Sequence, residues 1–243
     1  MGKTKERVKK NACDEECAVE REKTSARLGK RHREDDIDVG KDSPRENGCR
    51  LDRAWTGHGM HVDDGSRVLS RCGYRTARAT RGRWESGTFY YELFLEHLGP
   101  TGCVRVGVSN DTNMNLDAPV GADEHSYAFV QRGSDKVHNR HRVQYSDKRA
   151  VEGDVIGVLL YLPCARNVSS VDTSRLEFYL NGRGLGRAFE NLRACDRDHP
   201  YYPCISLFSS PEQLEPVVVQ CNFGPRFIAP PMRTRTSALA PFG

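Results

Sequence analysis

Residues 176–191 read LEFYLNGRGLGRAFEN, and this stretch decides the fold class. A short apolar run leads into Asn181-Gly182, and a glycine-rich return follows it. Asn-Gly between two such runs is typical of a tight β-hairpin, because both residues accept the left-handed backbone that the turn requires. Two further apolar runs follow, YYPCISLF (201–208) and VVVQC (217–221). The stretch therefore predicts consecutive antiparallel strands.

Three segments upstream extend the same pattern. Residues 87–95, GTFYYELFL, alternate between two faces, and residues 104–109, VRVGVS, place three valines on one face and Arg105 on the other. Residues 154–162, DVIGVLLYL, are almost continuously apolar, which predicts a strand buried on both faces. A helix is disfavoured there because Gly157 interrupts the run and a proline ends it. Together these segments predict an all-β protein, an antiparallel β-sandwich of short strands.

The two ends of the chain differ from this strand-rich middle. The first fifty residues contain 14 Lys and Arg and 12 Asp and Glu, with only scattered apolar positions. Such a segment buries too little apolar surface to offset the entropy of the chain. We therefore predict a disordered charged tail over residues 1–60, one β-sandwich domain over 67–231, and a short disordered tail over 232–243.

The charge of the chain is small overall but unevenly distributed. A formal net charge of +4 does not imply a polyanionic partner for the whole surface. Residues 132–149 carry six cations and two carboxylates, a surplus as large as that of the whole chain. We interpret residues 131–153, which include this stretch, and residues 111–124 as long polar connections, where recognition residues lie on such scaffolds. The alternative is an ordinary solvated loop.

Cysteine usage and basic clusters indicate a cellular compartment. Nine scattered cysteines, an odd number, suit reduced thiols in the cytosol or nucleus. We expect no signal peptide and no membrane partner, because no apolar run is long enough. The segments KTKERVKK (3–10) and GKRHRE (29–34) resemble nuclear import signals, so we predict a nuclear location.

No residue pattern in the chain indicates catalysis. No nucleophile has an evident base nearby, so we predict that the protein is not an enzyme and uses no cofactor. NGRGLG at 181–186 lacks the spacing and the following helix of a phosphate-binding loop. Cys13, Cys17, His58 and His61 have no compact ligand spacing, so we predict no metal site. Three cysteines lie within apolar strands and are interpreted as buried hydrophobes: Cys103, Cys204 and Cys221.

The segments that carry a family resemblance occur in order along the chain. They are GYRTARATRGRWESGTFYYELFL (73–95), VRVGVS (104–109), LDAPVGADEHSYAF (116–129), GSDKVH (133–138), EGDVIGVLLYLP (152–163), FYLNGRGLGRAFENL (178–192), YYPCISLF (201–208) and CNFGP (221–225). Together they resemble a SPRY domain over about residues 71–231. The pairing of LDAPVGADEHSYAF with GSDKVH is similar to the Ash-two and Bre-two type of SPRY domain and unlike the ubiquitin-ligase type.

The resemblance implies a function in chromatin. Its members are core subunits of COMPASS/MLL-type complexes, which methylate lysine 4 of histone H3, and they are not the methyltransferase itself. In the family, the subunit pairs with a WD-repeat partner of the retinoblastoma-binding type, and the pair stimulates a SET-domain enzyme. A basic groove on the SPRY surface accepts an acidic, Asp/Glu-rich segment of that WD-repeat partner.

The resemblance also implies a set of partner-binding residues. Carried over position by position, the groove residues are Tyr74, Arg105, Pro119, Arg132 and Lys136. Guanidinium groups grip carboxylates bidentately, and an aromatic floor would position the bound chain.

Some positions depart from the family groove and others match it. Ala122 stands where the family has a second groove tyrosine. Val130 stands where an arginine is usual, and Arg132 can stand in for that arginine's basic neighbour. Lys136 and His138 match the family segment GTKFH. The resemblance therefore implies a groove that has lost part of its contacts.

Other parts of the Ash-two family are not visible in this sequence. We find no PHD-like and winged-helix region before the SPRY segment, and no amphipathic helix after Pro231 that would dock a Dpy-thirty-type dimer. Two alternative functions stay open. One is a nucleic-acid-associated SPRY protein of the ribonucleoprotein U type, in which the basic tail and residues 132–149 meet phosphates. The other is a generic SPRY substrate adaptor for ubiquitin ligation.

Overall fold

The computed structural model describes residues 48–164, 173–232 and 239–242, which form fifteen strands and no helix. In this described part of the chain there is accordingly no helix that could cross a membrane. The strands are β1 (Leu51–Thr56), β2 (His61–Asp63), β3 (Arg67–Ser70), β4 (Arg75–Ala79), β5 (Gly87–His97), β6 (Cys103–Ser109), β7 (Ser126–Val130), β8 (Asp135–His138), β9 (His141–Gln144), β10 (Val155–Leu162), β11 (Arg175–Leu180), β12 (Arg183–Glu190), β13 (Tyr202–Phe208), β14 (Val217–Asn222) and β15 (Ala240–Pro241). The predicted all-β class is confirmed.

The strands build two sheets that pack face to face. The first sheet has the order β1-β4-β13-β6-β7-β8-β9, and the second has the order β12-β11-β10-β5-β14-β3-β2. Neighbouring strands within both orders are antiparallel, while β15 adds a short parallel pairing to β5. One continuous apolar core fills the space between the sheets. This arrangement confirms the antiparallel β-sandwich.

Strands β5 and β10 form the middle of the second sheet, and their sequences explain this position. They pair with each other along the whole of β10, and β11 pairs with the other side of β10. Leu160 lies in the core between the sheets, whereas Leu159 packs under aromatic rings on the opposite face. Gly157 is required because a Cβ there would lie 2.1 Å from the Tyr90 hydroxyl oxygen. The predicted burial of both faces of this strand is confirmed.

The predicted hairpin at Asn181-Gly182 is present between β11 and β12. Both turn residues have positive φ angles, 50° and 75°. The Asn181 side chain accepts a hydrogen bond from the Val155 N–H at 2.8 Å and donates one to the Asp154 carboxylate at 2.8 Å. The turn is therefore tied to the beginning of β10 as well as to its own strands.

A buried hydrogen bond ties one sheet to the other. Tyr91 of β5 donates its hydroxyl to the carbonyl oxygen of Gly107 in β6 over 2.5 Å. Burial raises the pKa of Tyr91 well above its usual value, so the hydroxyl stays a donor. Gly107 allows the close approach of β7, because a Cβ there would lie 1.9 Å from the carbonyl oxygen of Tyr127.

The predicted domain boundaries are wrong at both ends of the described region. The segment predicted as a tail up to residue 60 contains β1, which pairs with β4 and buries Leu51. The predicted C-terminal tail over 232–243 contains β15, and Phe242 is fully buried with its ring 5.6 Å from that of Tyr91. Strands β1 and β15 each attach to the domain through one or two apolar residues. These are too few to give the hydrophobic periodicity from which a strand is predicted. Residues 1–47, with the predicted import signals, lie outside the described residues.

Residues 131–153, predicted as one long polar connection, are not a single loop. They contain β8 and β9, joined by a tight turn at Asn139 and Arg140, whose φ angles are 48° and 66°. All four residues of β9 are exposed, so the strand has no apolar alternation to reveal it. Residues 111–124, the other predicted loop, contain no strand.

Replacing Leu160 by Ala should lower the free energy of unfolding by about 2–5 kcal/mol, because it removes a fully buried side chain from the centre of the core. Chemical denaturation measures this change. Leu214→Ala is the matched control, since Leu214 is 84% exposed and its truncation should change stability by less than about 0.5 kcal/mol. Equal effects of the two changes would contradict the central place of β10.

Deletion of residues 1–60 should lower the melting temperature by at least about 5 °C, because it removes β1 and the buried Leu51. Deletion of residues 1–47 removes none of the described contacts and serves as the control. Differential scanning calorimetry of the two truncations checks this prediction. A melting temperature unchanged by the longer deletion would show that β1 adds nothing to the domain.

Candidate functional site

The face of the first sheet that points away from the core, here called the outer face, carries its own apolar cluster. The buried members are Cys103, Met114, Val120, Ala128, Val130, Val137 and Cys204. Residues 111–124 run across this face and supply two of them. Met114 packs with its sulfur 3.8 Å from the Cys204 thiol. The 111–124 segment is therefore a cover on the sheet rather than a free loop.

Two buried hydroxyls hold this cover in place. The hydroxyls of Thr76 in β4 and Ser206 in β13 lie 2.7 Å apart and are both fully buried. Thr76 also donates to the carbonyl oxygen of Ala118 at 2.7 Å, and Ser206 accepts from the Val120 N–H at 2.8 Å. Two adjacent strands thus fix the path of the segment.

Tyr74 and Arg105 meet on the outer face, next to the end of this cover. The Arg105 guanidinium carbon lies 4.9 Å from the centre of the Tyr74 ring, within the range of a cation–π contact. Arg105 donates to the carbonyl oxygen of Val120 at 3.4 Å, and Tyr74 packs against Phe208 at 4.7 Å between ring centres. The Arg105 Nε is buried, and within the described part of the chain it has no hydrogen-bond partner. The guanidinium is therefore held in place but not fully satisfied.

The Cys103 thiol shows which other cations approach this point. Burial raises its pKa, and a hydrogen bond with the Arg132 backbone opposes that rise. The charges of Arg105 and Arg142 and a hydrogen bond with Tyr74 act in the same direction as the Arg132 contact. The Cys103 thiol thus lies beside Tyr74 and the main chain of Arg132, and the charges of Arg105 and Arg142 both act on it.

Four of the five predicted groove residues thus come together. Arg132 is exposed and donates to the Thr101 carbonyl oxygen at 2.9 Å, and Pro119 directly precedes Val120, the residue that accepts from Arg105. Two residues that the sequence analysis did not assign join them, Arg142 and Phe208. The outer-face cluster, as we call it, consists of Tyr74, Arg105, Pro119, Arg132, Arg142 and Phe208. Arg142 was missed because its approach depends on the unforeseen β8–β9 hairpin.

Lys136, the fifth predicted groove residue, lies on the opposite face of the sheet from the other four. Lys136 pairs in register with Phe129, a core residue, and donates to the carbonyl oxygen of Ala188 in the second sheet at 2.6 Å. Its neighbour His138 also faces inward and stacks on Tyr127, with 4.0 Å between ring centres. Lys136 links the two sheets.

The structure shows where the two positions that depart from the family groove, Val130 and Ala122, lie. Val130 pairs opposite Arg105 and is fully buried in the outer apolar cluster. The N–H of Ala122 donates to the carbonyl oxygen of Pro119 at 3.1 Å, at the edge of the outer-face cluster. Arg140 approaches the same edge and donates to the Ala122 carbonyl oxygen at 3.3 Å. Arg140 thus brings a cation to the place from which the tyrosine is missing.

The structure also places the cysteines and the histidine that were considered as buried hydrophobes or metal ligands. Cys103, Cys204 and Cys221 are buried, as predicted, and burial raises the pKa of Cys204 to about 12. His61 pairs with Asp63 at 2.8 Å. Within residues 48–164, 173–232 and 239–242, no group of three His, Cys, Asp or Glu side chains is placed to hold a metal ion. Cys13 and Cys17 lie outside the described residues.

Comparisons with known proteins agree with this architecture. The SPRY domain family model matches residues 88–224, more than half of the chain. The SPRY domain of human HERC1 superposes with a TM-score of 0.53 at 20% identity, covering 76% of this chain and 99% of that one. An antiparallel β-sandwich is thus the class that the structure defines. The chain belongs to the SPRY domain family.

Its similarity to full-length proteins is partial. The chain is 29% identical over 202 residues to the Set1/Ash2 histone methyltransferase complex subunit ASH2 of Drosophila melanogaster, and 25% identical over 207 residues to subunit ash-2 of Caenorhabditis elegans. These matches cover 69% and 68% of this chain, and about a third of the length of each relative. It is also 34% identical over 152 residues to the E3 ubiquitin-protein ligase RKP of Arabidopsis thaliana, covering 62% of this chain and 10% of that protein.

Replacing Lys136 by Ala should lower the free energy of unfolding by about 1–2 kcal/mol, because it removes the charge-assisted hydrogen bond to Ala188 between the sheets. Acidic-peptide binding on the outer face should stay unchanged. Lys148→Ala, at an exposed position, is the matched control for the loss of one charge. Calorimetric melting and peptide titration check both parts, and a selective loss of peptide affinity would contradict the inward position of Lys136.

Proposed function

We propose that this protein is a non-catalytic interaction subunit of a Set1/Ash2-type histone methyltransferase complex. Its SPRY domain binds an acidic segment of a WD-repeat partner and so supports methylation of histone H3 lysine 4 by a SET-domain enzyme. The protein acts in the nucleus. The proposal rests on similarity to ASH2 subunits of two animals together with the outer-face cluster.

The chemistry of the outer-face cluster suits an acidic ligand. A carboxylate prefers a guanidinium that is already fixed and partly removed from water, because the ordering and desolvation costs are then small. Arg105 has this character: it lies over the Tyr74 ring, and its Nε has no hydrogen-bond partner among the described residues. Arg132 is exposed, with its guanidinium on the Thr101 carbonyl oxygen, and can meet a second carboxylate. An extended segment with spaced Asp or Glu residues fits such a surface.

The absence of a catalytic role in the proposal follows from the same surface. The thiol of Cys103, which contacts Tyr74 of the cluster, is buried with a raised pKa, so it is a poor nucleophile. The arginines are donors and electrostatic partners, and guanidinium groups do not exchange protons near neutral pH. These side chains recognise a ligand rather than transform it.

A second candidate function has one observation in its favour. The similarity to the ubiquitin ligase RKP supports a role as a SPRY substrate adaptor, in which the same outer-face cluster would bind a substrate peptide. Affinity purification of the tagged full chain from nuclear extract, followed by mass spectrometry, separates the two. Recovery of SET-domain and WD-repeat proteins supports the proposal, and recovery of ubiquitin-ligase subunits without them would overturn it.

Replacing Arg105 by Ala should weaken binding of an Asp/Glu-rich peptide by about tenfold or more, because a charge-assisted hydrogen bond at a partly desolvated site contributes about 1.5–3 kcal/mol. Raised salt should weaken wild-type binding in the same direction. Isothermal titration calorimetry measures both effects.

The matched control is Arg197→Ala, an exposed arginine that precedes β13 at the end distant from Phe208. This variant should bind the peptide as the wild type does. Equal affinities of Arg105→Ala and wild type would show that the acidic segment does not use the outer-face cluster.

A further inference from the structure

Strand β9 is a free edge of the first sheet. It occupies the last place in the strand order, so among the described strands only β8 pairs with it. All four of its residues, His141–Gln144, are exposed. Such an edge presents main-chain N–H and C=O groups that can pair with another extended chain.

The hairpin geometry determines which groups face the free edge. Residues 139–140 form a two-residue turn, so the flanking pair exchanges both ladder hydrogen bonds and every second pair repeats this pattern. The Tyr145 N–H donates to the Ser134 carbonyl oxygen at 3.2 Å, so this pair belongs to the same alternating series of hydrogen-bonded pairs. The main-chain groups of Arg142 and Gln144 therefore point away from β8.

The charge of this edge selects its partner. Four exposed cations, Arg140, Arg142, Lys148 and Arg149, stand against two carboxylates, Asp147 and the Asp135 that pairs with Arg142. The edge therefore keeps a surplus of two cations. Like charges would repel a second copy of the same edge, whereas an acidic segment would be attracted. Val143, 53% exposed and on the opposite face from Arg142, offers an apolar contact. The edge thus favours a strand that alternates acidic and apolar residues.

We propose that the free edge of β9 is a second docking site, which takes an extended acidic segment of a partner protein as an added strand. The partner's main chain pairs with Arg142 and Gln144, and its alternate side chains lie beside Arg142 and Val143. This site borders the outer-face cluster, with which it shares Arg142, but it is distinct from the Arg105 contact, because β7 and β8 separate β9 from β6 by about 14 Å of sheet. Main-chain pairing gives affinity here, and the basic side chains give the preference for acidic sequences.

The test uses a capped peptide of alternating Glu and Val and the full chain. Gln144→Pro removes one N–H that faces the free edge, and proline is tolerated at such edge positions. Gln144→Val removes the same side chain and its bond to Ser146 but keeps the N–H. Fluorescence titration should show affinity about tenfold lower for Gln144→Pro and nearly unchanged for Gln144→Val. Hydrogen-exchange NMR should show protection of the Arg142 and Gln144 amides by the peptide.

Two observations would overturn the proposal: equal affinities of the two Gln144 variants, or no protection of these amides. If Gln144→Pro does not fold, peptides N-methylated on alternate residues decide the question, since one set should lose binding and the other keep it. Binding that is lost in Arg105→Ala and unchanged in Gln144→Pro would leave the outer-face cluster standing and reject the β9 site. Loss in Gln144→Pro alone would support the β9 site independently of the cluster.

Discussion

The hydrogen bond between the hydroxyls of Thr76 and Ser206 is the contact on which the outer face depends. It joins β4 to β13, and the same two hydroxyls hold Ala118 and Val120 of the covering segment. Losing either hydroxyl would leave a buried main-chain group without a partner, at a cost of about 1–3 kcal/mol. Because the Val120 carbonyl oxygen accepts from Arg105, the position of that guanidinium follows from this network.

Arg78 and Arg105 both lie on the outer face, but they differ in how far neighbouring side chains enclose them. Arg78 is enclosed between the rings of Trp55 and Tyr202, at 3.5 and 4.2 Å, and donates to main-chain carbonyl oxygens of the covering segment. It is 4% exposed, and burial lowers its pKa, so it acts as part of the packing. Arg105 contacts one ring, that of Tyr74, and makes two long hydrogen bonds, to the Val120 carbonyl oxygen at 3.4 Å and to the Tyr74 hydroxyl at 3.5 Å. Arg78 is enclosed by two rings and is part of the packing. Arg105 contacts a single ring, and it is the arginine that we propose as the contact for an acidic segment.

The sequence predicted the central strands well because burial of both faces leaves a strong apolar record, as in residues 154–162. It failed where a segment attaches through few apolar contacts, as with β1 and β15, or where polar residues occupy an edge strand, as with β9. The face on which Lys136 lies could not be predicted, because side-chain direction alternates with each residue, and only the pairing register settles it. Arg142 and Phe208 could be grouped with Tyr74 only once the strand order was known.

The burial of Phe242 also constrains how the domain is made during translation. Its ring packs against Phe89 and Tyr91, so a residue about 150 positions further along the chain completes the core around β5. The ribosome releases the chain from its N-terminal end, and β5 therefore leaves the exit tunnel about 150 residues before its final partner. Until Phe242 has been made, the beginning of β5 lacks this partner and can contact solvent or a chaperone. A nascent chain stalled before this point would expose the aromatic rings that the finished protein conceals.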